Sequence, residues 1–351
     1  MAVRGSIVNK PSWLTDHDVD WRERIGRLTI TARTLLAERA MTAPLFTHAY
    51  AFHLNFRFGG MTPFDLAKFA HAQGLGGLKI HVSDGEDASL DAMSAEELRT
   101  FGRQVAGLGL EMHIETSTTA HQGLSDAVAR AQAVGATSLR CYPLYEGRVS
   151  EIVARTIDDL RRLQEFDPDG RLRFTLEQHE DLNSEELVRV INEVGNPRLH
   201  LLFDFANMVN AYEAPLPALS QQAPYVTDVH IKDCLVQPDR GGWAHLACRS
   251  GTGHLPMHAM LVELLLLGED KPQVVAFGLE EEEGYFAPAL RLPSQGPDPV
   301  IAARSPSLTD LGSTDLGERL TQEATAARAQ VITIRAMLRD IASEAHLGTV
   351  A

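Results

Sequence analysis

Short apolar runs rich in β-branched and aromatic residues alternate along this chain with longer segments whose apolar positions recur at helical spacing. Eight runs read as strands, at 45–51, 77–82, 110–115, 137–141, 172–177, 199–204, 226–231 and 273–280. Between them, Ser94-x-x-Glu97 and Asn183-x-x-Glu186 are capping-box starts, and Thr62-Pro63-x-Asp65 puts proline at a first helical position. Eight strand–helix units predict an α/β chain with a (β/α)8 barrel over 44–290. An open doubly wound sheet would need a nucleotide-binding loop after a strand. The stretch GLGGLKI at 74–80 precedes a strand instead, and reads as a helix-to-strand turn. Residues 1–43 read as a helical lead-in. Beyond the barrel, 291–351 reads as the end of a Pro- and Ser-rich loop (287–308) followed by a long helix at 314–344, packed on the barrel or on a partner. The segment 237–250, with Gly241-Gly242 in it, reads as a long mobile lid.

Polar residues break this pattern in a regular way. In a barrel, alternate strand residues face the interior, and functional groups gather at the C-terminal strand ends. RFTLEQHEDL at 173–182 puts Thr175, Glu177 and His179 on one parity. HLLFDFAN ends its strand at Asp204, VTDVHIKD puts Asp228, His230 and Lys232 on one face, and VVAFGLEEE does the same for Gly278 and Glu280. Four successive strands thus deliver Glu177, Asp204, His230 and Glu280 to one end of the barrel wall. Three carboxylates and an imidazole repel and desolvate one another unless a cation joins them. Three oxygens and one nitrogen suit one divalent metal ion, Mn2+, Mg2+, Co2+ or Zn2+.

Composition narrows the partners. The formal net charge of −15 opposes nucleic-acid backbones and anionic membrane surfaces, so neither is expected. Cys141, Cys234 and Cys248 are odd in number, far apart and outside any CxxC, as in a protein with reduced thiols. The N-terminal stretch lacks a signal-peptide core, and the most apolar run, 260–267, is too short to span a bilayer. A cytoplasmic protein is expected.

The stretches LEQHEDLNSEEL, LLFDFANMVNAYEAP, YVTDVHIKD, CRSGTGHLPMHAML and FGLEEEE resemble the xylose isomerase-like TIM barrels, the sugar phosphate isomerase/epimerase group that also contains a class of apurinic endonucleases. The resemblance runs from about Pro44 to Gly284. It implies the same four metal ligands, Glu177, Asp204, His230 and Glu280, with Lys232 and Arg249 lining a substrate pocket. Two departures refine it. Epimerases of the group carry Asp-x-x-His on the sixth strand, where this chain has Asp204-x-x-Asn207, and their pattern on the seventh strand differs from HIKDC. The missing histidine and the acidic charge argue against the endonuclease members. Glu177-x-His179 resembles members that act as lyases, on 3-oxo sugar acids or 3-keto-glycosides.

The expected enzyme therefore acts on a sugar or oxo-sugar through a metal-stabilised enediolate, by decarboxylation or elimination. The alternative is a ketose or hydroxypyruvate-type isomerase or epimerase, and a third possibility is a non-catalytic or partner-dependent barrel, as a homo-oligomer or hetero-subunit. Glu177, Glu280 and Lys232 are the expected catalytic groups, with His179 the acid/base. His53, His81, Glu115, Asn207 and Arg249 are the expected contacts to substrate.

Overall fold

The computed structural model describes residues 11–14, 20–302 and 315–347. Eight parallel strands close a barrel: β1 (Leu45–His48), β2 (Gly77–His81), β3 (Glu111–Glu115), β4 (Ser138–Cys141), β6 (Arg173–Glu177), β7 (Leu199–Asp204), β8 (Val226–Ile231) and β11 (Ala276–Leu279). Helices follow the strands, three of them opened by capping boxes at Thr62, Ser94 and Asn183. Each box satisfies orphan N-terminal amides and fixes where its helix begins. The strand read at 45–51 stops at His48, because Ala49–Phe52 coil into a 3-10 turn. The strand read at 273–280 is shorter, Ala276–Leu279.

Outward positions of the strands are apolar: Leu78 and Ile80, Phe174 and Leu176, Val229 and Ile231, Phe277 and Leu279 are buried against the helices. The interior positions are largely polar. At mid-barrel, Asp228 from β8 receives Lys79 from β2 (3.3 Å), His113 from β3 (3.0 Å) and Arg173 from β6 (3.2 Å). Lys79 crosses the barrel because β11 offers Gly278, where a Cβ would sit 2.7 Å from the lysine Cδ. The Asp228 carboxyl is buried, yet Lys79 and His113 hold it well below the usual carboxylate range.

The segment read as a mobile lid is ordered as an antiparallel hairpin, β9 (Asp233–Asp239) and β10 (Gly242–Cys248), with β12 (Phe286–Ala287) paired to β10. The base of the hairpin is knotted by Asp233, which accepts from the amides of Cys234 (2.8 Å), Gly251 (2.9 Å), Gly253 (2.8 Å) and Leu255 (3.3 Å). A side chain at Gly253 would meet that carboxylate at 2.2 Å, which is why the SGTGH turn is built on glycine.

The stretch read as a loop at 287–308 is partly built. It contains a 3-10 turn at Pro293–Gln295 and β13 (Val300–Ile301), which pairs with β5 (Gly147–Arg148); residues 303–308 lie outside the described residues. The last helix spans Leu316–Leu347 and packs along Ile30–Thr42 and against the helix Met257–Leu266. Position 314, where the sequence starts that helix, and most of 1–19 lie outside the described residues. Among the described residues, no helix is long and apolar enough to cross a membrane.

Removing the hub of the mid-barrel cluster should expose its cost. Asp228→Ala leaves Lys79 and Arg173 charged without their partner, and we expect a loss of about 3–5 kcal/mol of stability, measured by urea unfolding. The double variant Lys79→Met/Asp228→Leu should lose less than Asp228→Ala alone.

Candidate metal centre at the barrel mouth

Two residues along β8 from Asp228, a second polar layer closes the C-terminal end of the barrel. β6 ends in Glu177, β7 in Asp204, β8 carries His230, and Glu280 follows β11. All four are buried. A register shift between Leu201 and Leu202 on β7 precedes Asp204 and sets its pairing opposite His230. His230 is the meeting point. Its Nδ1 lies 3.2 Å from Glu280, 3.4 Å from Glu177 and 3.9 Å from Asp204. Its Nε2 lies 3.0 Å from Glu115.

Glu115 sits behind the imidazole. Its other partners are His48 at 2.9 Å and Arg140, and Arg140 also reaches Glu177 at 2.9 Å. The Tyr50 amide donates to His48 Nδ1, so His48 donates to Glu115 from Nε2. Asn207 braces two of these carboxylates at once. Its side-chain amide donates to the Gln178 carbonyl (3.1 Å) and approaches Glu177 (3.5 Å), while its main-chain amide donates to Asp204 (2.9 Å). Lys232 stands on the open side, 2.9 Å from Asp204 and 3.3 Å from Glu280.

The layer holds four carboxylates, Glu115, Glu177, Asp204 and Glu280, against two permanent cations, Arg140 and Lys232. The balance left is that of one divalent cation. Without it, protons take its place. Burial opposes charge on His230, but Glu280 and Glu115 raise its pKa well above the usual imidazole value. Burial pushes Asp204 up to about 7 despite Lys232. Burial also works against charge on Glu177, yet Arg140 holds it down at about 2.

The donor set fits a metal. His230 Nδ1, Glu177 Oε2 and Asp204 Oδ2 are buried with only the charged groups of this same cluster near them, and donor atoms of these three residues lie within 4.8 Å of one another. Glu115 supplies the carboxylate that orients a ligating imidazole through its other nitrogen. A second triad, His48, Glu115 and His230, has comparable spacing, but there both imidazoles and Arg140 already occupy Glu115.

The other expected residues are placed as follows. His179 lies beyond Glu177 with its ring stacked on Tyr142, centroids 3.8 Å apart. His81 contacts the Ser117 hydroxyl at 3.0 Å, which accepts in turn from the Tyr142 hydroxyl, and burial lowers the His81 pKa to about 4. His53 lies at the mouth, 3.2 Å from Glu282 and 3.6 Å from Glu323 of the last helix. Glu115 stands behind the ligands, as described. Arg249 is half-exposed and pairs with Glu283 at 3.2 Å, apart from the buried cluster. Arg140 was missed by the parity scan. The signal was present, since β4 carries a buried arginine on the interior parity one position before its end, paired in register with Glu115.

A family model described as xylose isomerase-like TIM barrel matches residues 67–286. The chain belongs to this family. A protein of Escherichia coli K12, the uncharacterized protein YihM, is 44% identical over 91% of this chain and 98% of its own length. The 3-oxo-isoapionate decarboxylase of Pectobacterium atrosepticum is 24% identical over 49% of this chain and 63% of that protein. Among solved structures, a D-psicose 3-epimerase from Clostridium cellulolyticum H10, determined with D-tagatose, superposes with a TM-score of 0.56 at 14% identity, covering 84% of this chain and 99% of its own. That likeness is one of fold.

A metal entering this site must displace the protons on His230 and Asp204. Both pKa values are raised, His230 by Glu280 and Glu115 and Asp204 by burial, so affinity should rise with pH. Titration calorimetry in buffers of different ionisation enthalpy should show proton release on Mn2+ binding at about pH 7. Arg140→Ala should weaken metal retention by about ten- to a hundredfold by freeing Glu177 and Glu115 from their orienting partner.

Proposed function

We propose that the protein is a divalent-metal-dependent lyase acting on an oxo-sugar or oxo-sugar acid, by decarboxylation or by elimination from the carbon beside a ketone. The observation that carries this reading is the buried set Glu177, Asp204, His230 and Glu280, with charge left for one divalent cation and Lys232 and His179 beside it. A bound cation would supply Lewis acidity to a ketone oxygen. The four residues named would hold it, with Mn2+ expected and Mg2+, Co2+ and Zn2+ as the other candidates for such a donor set.

The chain's own groups divide the remaining work. Lys232, charged because Asp204 and Glu280 outweigh its burial, offers its ammonium to a substrate carboxylate or oxyanion. Arg140 keeps Glu177 ionised, and Glu115 keeps Nε2 of His230 engaged so that Nδ1 faces the ligands. His179, stacked on the Tyr142 ring, would deliver a proton to carbon once the carboxylate has left as carbon dioxide and its bonding pair has stayed on the substrate. His53, His81, Asn207 and Arg249 remain assigned to substrate contact in this reading, and Glu115 to positioning.

The distant likeness to a decarboxylase of a 3-oxo sugar acid supports a lyase. Asn207 supports it too: where an imidazole would add acid/base capacity, this chain has an amide that cannot exchange a proton near neutral pH. An isomerase or epimerase is the second reading, favoured by the family itself.

The test is direct. Metal-loaded protein is incubated with 3-oxo sugar acids, 3-keto-glycosides and ordinary ketoses. Release of carbon dioxide or an aglycone is the expected result; solvent deuterium entering a ketose with all carbons retained would replace the lyase by an isomerase. His179→Gln should lower turnover by about 100-fold or more while metal content stays unchanged. Glu177→Gln and His230→Ala should both lose metal, and unchanged metal content in both would defeat the site as drawn.

A further inference from the structure

The β9–β10 hairpin carries a histidine that neither the ligand set nor the acid/base assignment uses. His245 lies mid-strand on β10, opposite Val236 of β9 and Ala287 of β12, and is completely buried. Its ring is oriented by Asn210, two turns beyond Asp204. The Asn210 side-chain amide donates one hydrogen to the Ala287 carbonyl (2.9 Å) and the other to the Pro288 carbonyl (2.8 Å). Both donors are spent, so its oxygen is what faces His245 Nδ1, at 2.6 Å. An amide oxygen only accepts. Nδ1 therefore carries the hydrogen, and a neutral ring leaves its lone pair on Nε2.

The orienting group is itself clamped, because the Asn210 carbonyl accepts from the amides of Leu290 (3.1 Å) and Arg291 (3.0 Å). Burial, with Lys232 adding to it, drives the His245 pKa well below the usual imidazole value, in keeping with a neutral ring. The charged groups that act on it are Lys232, Glu280 and His179, those of the barrel mouth. Nε2 is buried and has no hydrogen-bond partner among the described residues. An acceptor left so is destabilising, and a donor arriving with a ligand would recover that loss.

We propose that His245 Nε2 is a fixed, neutral hydrogen-bond acceptor for a hydroxyl of the substrate, and that the hairpin thereby reads the hydroxylation of the sugar. The inference rests on the barrel mouth being a sugar site. It adds a neutral acceptor beside groups that are engaged in ion pairs. Lys232 and Arg140 only donate, and the carboxylates are committed to cations. A fixed lone pair accepts a hydroxyl and repels a carboxylate oxygen, and it gains nothing from a deoxy carbon. Rejection of an analogue lacking the hydroxyl by about 100-fold or more is expected of such a contact.

The experiment uses the full chain loaded with Mg2+, long-range proton–nitrogen NMR of its histidine rings, and D-tagatose as the ketohexose probe. The expected free-state pattern is a protonated Nδ1 and a bare Nε2 at His245. D-tagatose should then shift Nε2 saturably toward a hydrogen-bonded value with the tautomer kept. Asn210→Leu should scramble the tautomer. His245→Gln, whose amide oxygen can accept, should retain D-tagatose affinity within about tenfold, while His245→Phe should lose about 100-fold. A proton on Nε2 in the free protein overturns the proposal. A sugar that moves the His179 resonances and leaves His245 still overturns the His245 assignment alone. A sugar that moves neither overturns the His245 proposal, and the oxo-sugar reading then stands or falls on the turnover test with 3-oxo sugar acids.

Discussion

Charge neutrality inside a closed barrel is the constraint from which the rest of this structure follows. The strands turn their apolar residues out to the helices and much of their polar set inward, so the interior cannot be stabilised by dispersion alone. Each buried charge needs a partner within reach across the barrel. At mid-barrel this is met within the chain, where Lys79, His113 and Arg173 converge on Asp228. One layer higher it is not met. Arg140 and Lys232 neutralise only part of the carboxylate charge, and the deficit is concentrated around His230 Nδ1. The lower layer thus acts as a closed floor, and the upper layer is left open to a cation.

The mouth of the barrel is shaped by the same logic. Groups that must stay put are held from behind: Glu177 by Arg140, His230 by Glu115, Asp204 by the amides of Ala206 and Asn207. Groups available to a substrate stand in front, on Lys232, on His179 against the Tyr142 ring, and on the hairpin that follows β8. The hairpin is tied down at its base by Asp233 and along β10 by β12. A side chain it presents is therefore positioned with the rigidity of a sheet.

Much of this was legible in the sequence, for a physical reason. Strand residues alternate with period two, so parity alone separates Glu177, Asp204, His230 and Glu280 from their apolar neighbours, and these four do meet at His230. The helix starts were equally local, since a capping box is complete within four residues. What was illegible depends on distant partners. The hairpin read as a lid because Gly241-Gly242 and the surrounding polar residues look like a loop until β9, β10 and β12 are paired. Arg140 was passed over because β4 ends in Cys141, so a scan for polar strand ends does not stop on the arginine one position earlier. The orientation of His245 requires Asn210, Ala287 and Pro288, none of which is near it in the chain.

Anomalous diffraction from crystals soaked in Mn2+ tests the charge-balance account most directly. The account predicts a single strong peak bounded by Glu177, Asp204, Glu280 and Nδ1 of His230, with Nε2 of His230 still on Glu115. A peak between His48, Glu115 and His230, or a mouth that stays free of Mn2+ at saturating concentration near neutral pH, would contradict it.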